Sequence, residues 1–176
     1  MNRTLVGALT IALATFGPGA PTADATTARC LPHSPASPAD YQLVANGRNA
    51  SFGVGDVTSV VRLPDGRRFF VFGDTGYYNL NADGSAGPLV SFGNNSAWVQ
   101  SGNCFVLVDT AGAGSRSWIV PPQQDGSVYW PGAAVVVGNR LYVFLTRLFL
   151  DRFFGRPVGS AVATFDLPSL QLARLS

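Results

Sequence analysis

Lysine and glutamate are absent from this chain of 176 residues: all 12 basic side chains are arginine and all 10 acidic ones are aspartate. We read the arginine bias as the composition of a GC-rich genome rather than as chemistry. Charge is sparse, at 12% of residues with a net +2, and no basic run is longer than Arg67-Arg68. A polyanion needs a basic surface to hold it, so nucleic acid is excluded as a partner. Histidine occurs once, at His33, and the two cysteines form no CxxC. Those absences remove zinc sites, Ser-His-Asp triads and Cys-His dyads together, and nothing else calls for a metal or cofactor. Long apolar runs are missing too. Leu5 to Phe16 is too short to span a bilayer and nothing else approaches that length, so no membrane segment is expected after processing.

Hydrophobic residues reach 47%, and a chain of this length has room for one domain with a real core. Residues 1–25 have the form of an export signal: Arg3, then the apolar run, then Ala23-Asp24-Ala25 as a small-x-small cleavage pattern. The processed protein is expected to begin near Thr26 and to be secreted. In an oxidising compartment Cys30 and Cys104 are placed to form a disulfide that ties an N-terminal arm to the domain; two buried thiols are the alternative. Residues 26–51, rich in Pro, Ser and Ala, read as that extended arm, with His33 exposed and idle.

From Phe52 onward strands and turns alternate, and no segment sustains helical periodicity. Gly55 to Thr75 reads as a hairpin, about 56–63 and 67–73, turning at Pro64-Asp65-Gly66. Asp56 and Asp74 each lie nine residues from Asp65, so they face one another across the open end, directly or one residue diagonal at a bulge. Two like charges there repel, which makes the pair the leading functional candidate. A long polar loop, Gly76 to Pro88, is expected next, then strands at about 94–100 and 103–108. After a second loop, Ala133–Val137 and Arg140–Thr146 pair around Gly138-Asn139, followed by strands at 158–167 and 170–175.

The pattern repeats after about 75 residues, with Arg68-Phe69-Phe70-Val71-Phe72 matching Arg140-Leu141-Tyr142-Val143-Phe144. Repeated units of four antiparallel strands are β-propeller blades. The expected fold is therefore all-β, a propeller with blade one at about 52–110 and blade two at about 128–176. A β-sandwich is the alternative.

Three segments, GDVTSVVRLPDGRRFFVFGDT, NNSAWVQSGNCFVLV and YWPGAAVVVGNRLYVFLTR, together resemble the DUF4185-type secreted five-bladed propellers of actinobacteria. That family includes endo-D-arabinanases of mycobacterial cell-wall arabinan. The resemblance implies a glycoside hydrolase acting on an arabinan-type polysaccharide, with Asp56 and Asp74 as its catalytic carboxylates. Glycoside cleavage does require two carboxyl groups, one to protonate the leaving oxygen and one to act as nucleophile or base. Structural roles as turn caps are the alternative for each. Around the pair, Trp130 is placed to stack on a sugar or to pack as core. Asn95 is placed to bind sugar hydroxyls or to close a turn. Tyr77, Tyr78 and Asn79 would wall a subsite, and Arg147 would bind a hydroxyl or neutralise a carboxylate. A non-catalytic carbohydrate-binding or surface-interaction module is the rival function.

The sequence stops at LQLARLS, where the outer strand of a second blade would end. Two blades do not close a ring, so a longer propeller is expected, with this chain as its N-terminal part and an apolar open face including Leu141, Tyr142, Phe144, Phe149, Phe153 and Phe154.

Overall fold

The computed structural model describes residues 28–45, 54–83, 86–108, 119–151 and 155–176. The expected export signal and Phe153 and Phe154 lie outside them. Among the described residues ten strands form two antiparallel sheets, with one helix in the arm. The first contains β1 (Arg29–Cys30), β2 (Val54–Arg62), β3 (Arg68–Leu80), β4 (Ala86–Gly93), β5 (Ser96–Ser101) and β6 (Cys104–Leu107). Its order is β1-β6-β5-β3-β2, with β4 also on β3. The second sheet is the meander β7 (Val128–Val137), β8 (Arg140–Phe149), β9 (Arg156–Asp166) and β10 (Gln171–Leu175).

Alternation dictates the packing. On β3, Phe69 and Val71 face the second sheet and meet Tyr129, Leu141, Val143, Leu145, Ala163 and Phe165 in a shared core. Phe70 and Phe72 face the other way, into a second core with Trp98, Phe105 and Leu107. Such two-sided burial needs cover on both faces. The shared core supplies one cover; the N-terminal arm, through Leu31, Tyr41 and Val44, supplies the other. Polar contacts tie the sheets together as well. Ser59 Oγ on β2 accepts the Ala134 amide of β7 at 3.2 Å, and the Arg67 guanidinium donates to the Pro168 carbonyl at 2.6 Å.

Several expectations need correction, while the expected disulfide is present. The arm is not wholly extended, because α1 (Pro38–Ala45) lies within it. Ser37 and Asp40 form a reciprocal capping box: the Ser37 amide donates to Asp40 Oδ2 at 2.9 Å, and the Asp40 amide to Ser37 Oγ at 3.4 Å. Pro38 takes the first helical position, where its missing N–H costs nothing. The capping hydrogen bonds from Ala36 and Ser37 hold the Asp40 carboxyl down at about 2. His33 is exposed but not idle, since its Nε2 lies 3.1 Å from Asp40 Oδ1. Cys30 and Cys104 are joined by a disulfide where β1 pairs with β6.

The segment read as a loop from Gly76 is instead mostly strand. β3 runs on to Leu80, past the start of β2, and folds back as β4. The sequence match between hairpins also places side chains unexpectedly. Phe69 and Val71 and their matches Leu141 and Val143 all face the shared core. Blades stacked by rotation would turn equivalent residues the same way around the ring and could not bring both sets into the core between them, so this residue match is not a blade-to-blade equivalence. Leu141 is accordingly buried rather than on the open side, while Phe144 is half exposed.

Candidate functional site

The site is built by two bulges in the β2–β3 hairpin. Gly55 pairs with Thr75, but Val57 pairs with Phe72, so Asp56 alone opposes Gly73 and Asp74 together. A second shift follows between Val57 and Ser59, where Thr58 is the extra residue. Bulges re-aim side chains and bend the strand, and here one falls on each strand within four residues. The consequence is a change of phase along β3. Below the bulge Phe70 and Phe72 face the second core; above it Thr75 and Tyr77 do. Gly73, Asp74, Gly76 and Tyr78 therefore share the face that looks toward the second sheet. Asp56 follows Ser59 onto that same face. The bulge thus brings both aspartates to one side of one hairpin.

Asp56 is exposed and Asp74 partly buried. Asn94 Nδ2 donates to Asp74 Oδ1 at 3.0 Å, which orients that carboxylate. Among the described residues neither aspartate forms an ion pair. Beneath them Thr75 is buried, its hydroxyl 2.8 Å from Ser96 Oγ and donating to the Gly73 carbonyl at 3.0 Å.

Two glycines flank Asp74, and each seats an aromatic ring. A Cβ on Gly73 would lie 2.1 Å from Trp130 Nε1, so the indole of β7 rests directly on that backbone. A Cβ on Gly76 would lie 2.8 Å from the Tyr78 ring. Any side chain at either position would force its ring to shift. Phe92 pairs with Gly76 across β3 and β4 and is half exposed, on the same face as Tyr78. Among the described residues no group of three or more His, Cys or Asp side chains is arranged to hold a metal ion.

The other sequence candidates have different tasks. Tyr77 is buried in the second core, not in a subsite wall. Its hydroxyl faces Ser96 without completing a well-formed hydrogen bond, and burial pushes its pKa up to about 12. Asn95 is fully buried and closes the junction between the sheets. Its Oδ1 accepts the amides of Ile119 at 2.9 Å and Val120 at 2.7 Å, and its Nδ2 donates to the Tyr129 carbonyl at 3.0 Å. Arg147 pairs with Asp125 and donates to Ser127 Oγ at 2.7 Å, fixing the turn before β7. Ser127 and Arg147 together hold the Asp125 carboxyl below its usual range. The side chain of Asn79 lies outside the described residues. Sequence reasoning missed Asn94 and the two seating glycines; the one available signal was the pattern Gly-Asp-Thr-Gly at 73–76, glycines close about an acid.

The family model of DUF5005, a domain of unknown function, matches residues 40–176, and the chain belongs to that family. The DUF4185 resemblance is thereby corrected, and the arabinan specificity that came with it loses its ground. The physical reason is that alternating strands around Gly-Asp turns are common to many antiparallel sheets and carry little family information. No curated protein matches the sequence. Among solved structures, a Bacteroides ovatus protein provisionally described as a hydrolase is similar, with a TM-score of 0.64 and 21% identity over 78% of this chain. At that identity the likeness shows the fold alone. This chain covers 42% of that protein's length.

Proposed function

We propose that this member of the DUF5005 family is a secreted glycoside hydrolase whose carboxylate pair is Asp56 and Asp74. The observation that carries the reading is the bulged hairpin, which gathers two aspartates on one face where a fold alone gains nothing from their repulsion. In such a site one carboxyl protonates the glycosidic oxygen, and the other attacks the anomeric carbon or activates a water. Asn94 fixes one member of the pair while Asp56 stands in solvent, so the two acids occupy different surroundings, as different roles demand. The two sheets are compatible with successive blades of a propeller: the second is a four-strand meander, the first places β2, β3, β5 and β6 in that order with β4 also on β3 and β1 beyond β6, and β2 and β7 lie side by side. The Cys30–Cys104 disulfide fits an oxidising compartment, and hence export.

Hydrolysis of a panel of neutral plant and bacterial polysaccharides, followed by release of reducing ends, tests this. The wild type is expected to cleave at least one, and Asp56→Asn and Asp74→Asn each to lose at least about a hundredfold in rate, the lower end for general acid–base groups. Binding without release of reducing ends by the wild type would instead identify a non-catalytic carbohydrate module. Separately, mass spectrometry of the exported protein should find a chain beginning near Thr26.

A further inference from the structure

We infer that Trp130 and Tyr78, seated on Gly73 and Gly76 on either side of Asp74, wall a binding subsite for the ring of a neutral saccharide. The inference rests on the hydrolase reading for what the carboxylates do, and adds which residues hold the substrate. A sugar ring has an apolar C–H face and an edge of hydroxyls. It therefore needs a flat apolar surface next to hydrogen-bond acceptors. Both are here within one strand. Asp56 and Asp74 are acceptors on the second-sheet face of the hairpin, and Tyr78 stands four residues beyond Asp74 on the same face.

The two glycine seats argue that the rings are positioned rather than merely tolerated. Trp130 and Tyr78 come from different sheets, yet each lies against bare backbone within two residues of Asp74. Neither ring belongs to either hydrophobic core. Both remain partly exposed, so their faces are not used up in packing. Phe92, half exposed, extends the apolar surface along β4 away from the acids, and Leu89, also half exposed, stands opposite Tyr78. That strip has the form of a track for the next residues of a chain-like substrate.

The charge pattern selects among ligands. Two aspartates repel an anionic ligand, and Arg147, the cation expected from the sequence to serve this site, is engaged by Asp125 and Ser127 instead. A small organic cation would be favoured by rings and acids together, but its capture by aromatic faces is strong only when water is excluded. Asp56 is exposed, so a neutral ligand with many hydroxyls fits the site better.

The test titrates the full chain with xylohexaose, cellohexaose, mannohexaose and an arabinofuranose hexasaccharide, following Trp fluorescence and heat, with choline as the cationic control. At least one hexasaccharide should bind. Tyr78→Ala and Trp130→Ala should each weaken it by about tenfold or more. Gly76→Ala, which keeps every aromatic and acidic group but displaces the Tyr78 ring, should reproduce the Tyr78→Ala loss. Far-UV circular dichroism confirms that each variant is folded, and Gly76→Ala serves if Trp130→Ala is not. Hexasaccharide binding that is untouched by Tyr78→Ala and Gly76→Ala overturns the inference, as does binding of choline in place of every saccharide. The two readings fail separately. Ring-dependent binding with no hydrolysis keeps the subsite and removes the enzyme. Hydrolysis that needs Asp56 and Asp74 but neither ring keeps the enzyme and removes the subsite.

Discussion

Replacing Asn95 by alanine should show how strongly one buried amide joins the two sheets. The side chain is fully buried and makes three hydrogen bonds: from the Ile119 amide, from the Val120 amide, and to the Tyr129 carbonyl. Truncation leaves the Val120 amide without its partner in a buried setting, at about 1–3 kcal/mol. The Ile119 amide keeps a weaker bond to the Asn95 carbonyl at 3.2 Å. Its lost bond and that of Tyr129 add about 0.5–1.5 kcal/mol each. The expected destabilisation is about 2–6 kcal/mol, which for a chain of this size lowers Tm by roughly 4–20 °C. Asn95→Asp should also destabilise, since it keeps the acceptor but removes the donor and buries a charge beside the Tyr129 carbonyl. Urea unfolding followed by tryptophan fluorescence measures both. Trp130 adjoins Tyr129, so its signal reports the same junction. A cost under about 1 kcal/mol for Asn95→Ala would mean that water reaches Val120 and Tyr129, and would refute the view of Asn95 as the staple between sheets.

Two further outcomes follow from the arm. Asp40 has a folded-state pKa near 2 against an ordinary 3.8, so the stability it contributes is present above about pH 4 and is lost as pH falls toward 2. Acid unfolding of wild type and Asp40→Asn should therefore converge at low pH, and a constant difference between them would contradict the capping assignment. The Cys30–Cys104 bridge closes a separation of 74 residues, so replacing both cysteines by serine should cost about 2–4 kcal/mol, read by denaturant unfolding under oxidising conditions. Equal midpoints for the two proteins would show that pairing of β1 with β6 alone holds the arm.

Local chemistry was readable without coordinates wherever neighbours in sequence decide it. Alternating apolar residues and the Pro-Asp-Gly turn made the β2–β3 hairpin legible, and its symmetry about Asp65 made Asp56 and Asp74 legible as a facing pair. The same chain also held an unread helix start, because Ser37-Pro38 with Asp40 is a capping signal that a Pro- and Ser-rich composition obscures. Sequence alone determined that strands and turns, with no helix, make up the described residues past the arm, and that aspartate is the carboxylate available to the chain.

Which side each residue faces was a different matter. A strand shows its residues alternately to two faces, and a single bulge reverses that alternation for everything beyond it. Tyr77 and Tyr78 are adjacent in sequence and equally aromatic; the bulge at Gly73-Asp74 sends the first into the second core and leaves the second beside the acids. Asn95 and Arg147 were equally plausible as ligands of a substrate until the tertiary structure supplied their partners, Val120 and Tyr129 across the sheets for one, Asp125 and Ser127 beside the neighbouring strand for the other. Those partners lie 20 to 34 residues away in the chain. Hydrogen bonds at that range are set by how strands pair and how two sheets stack, and strand periodicity carries no record of either.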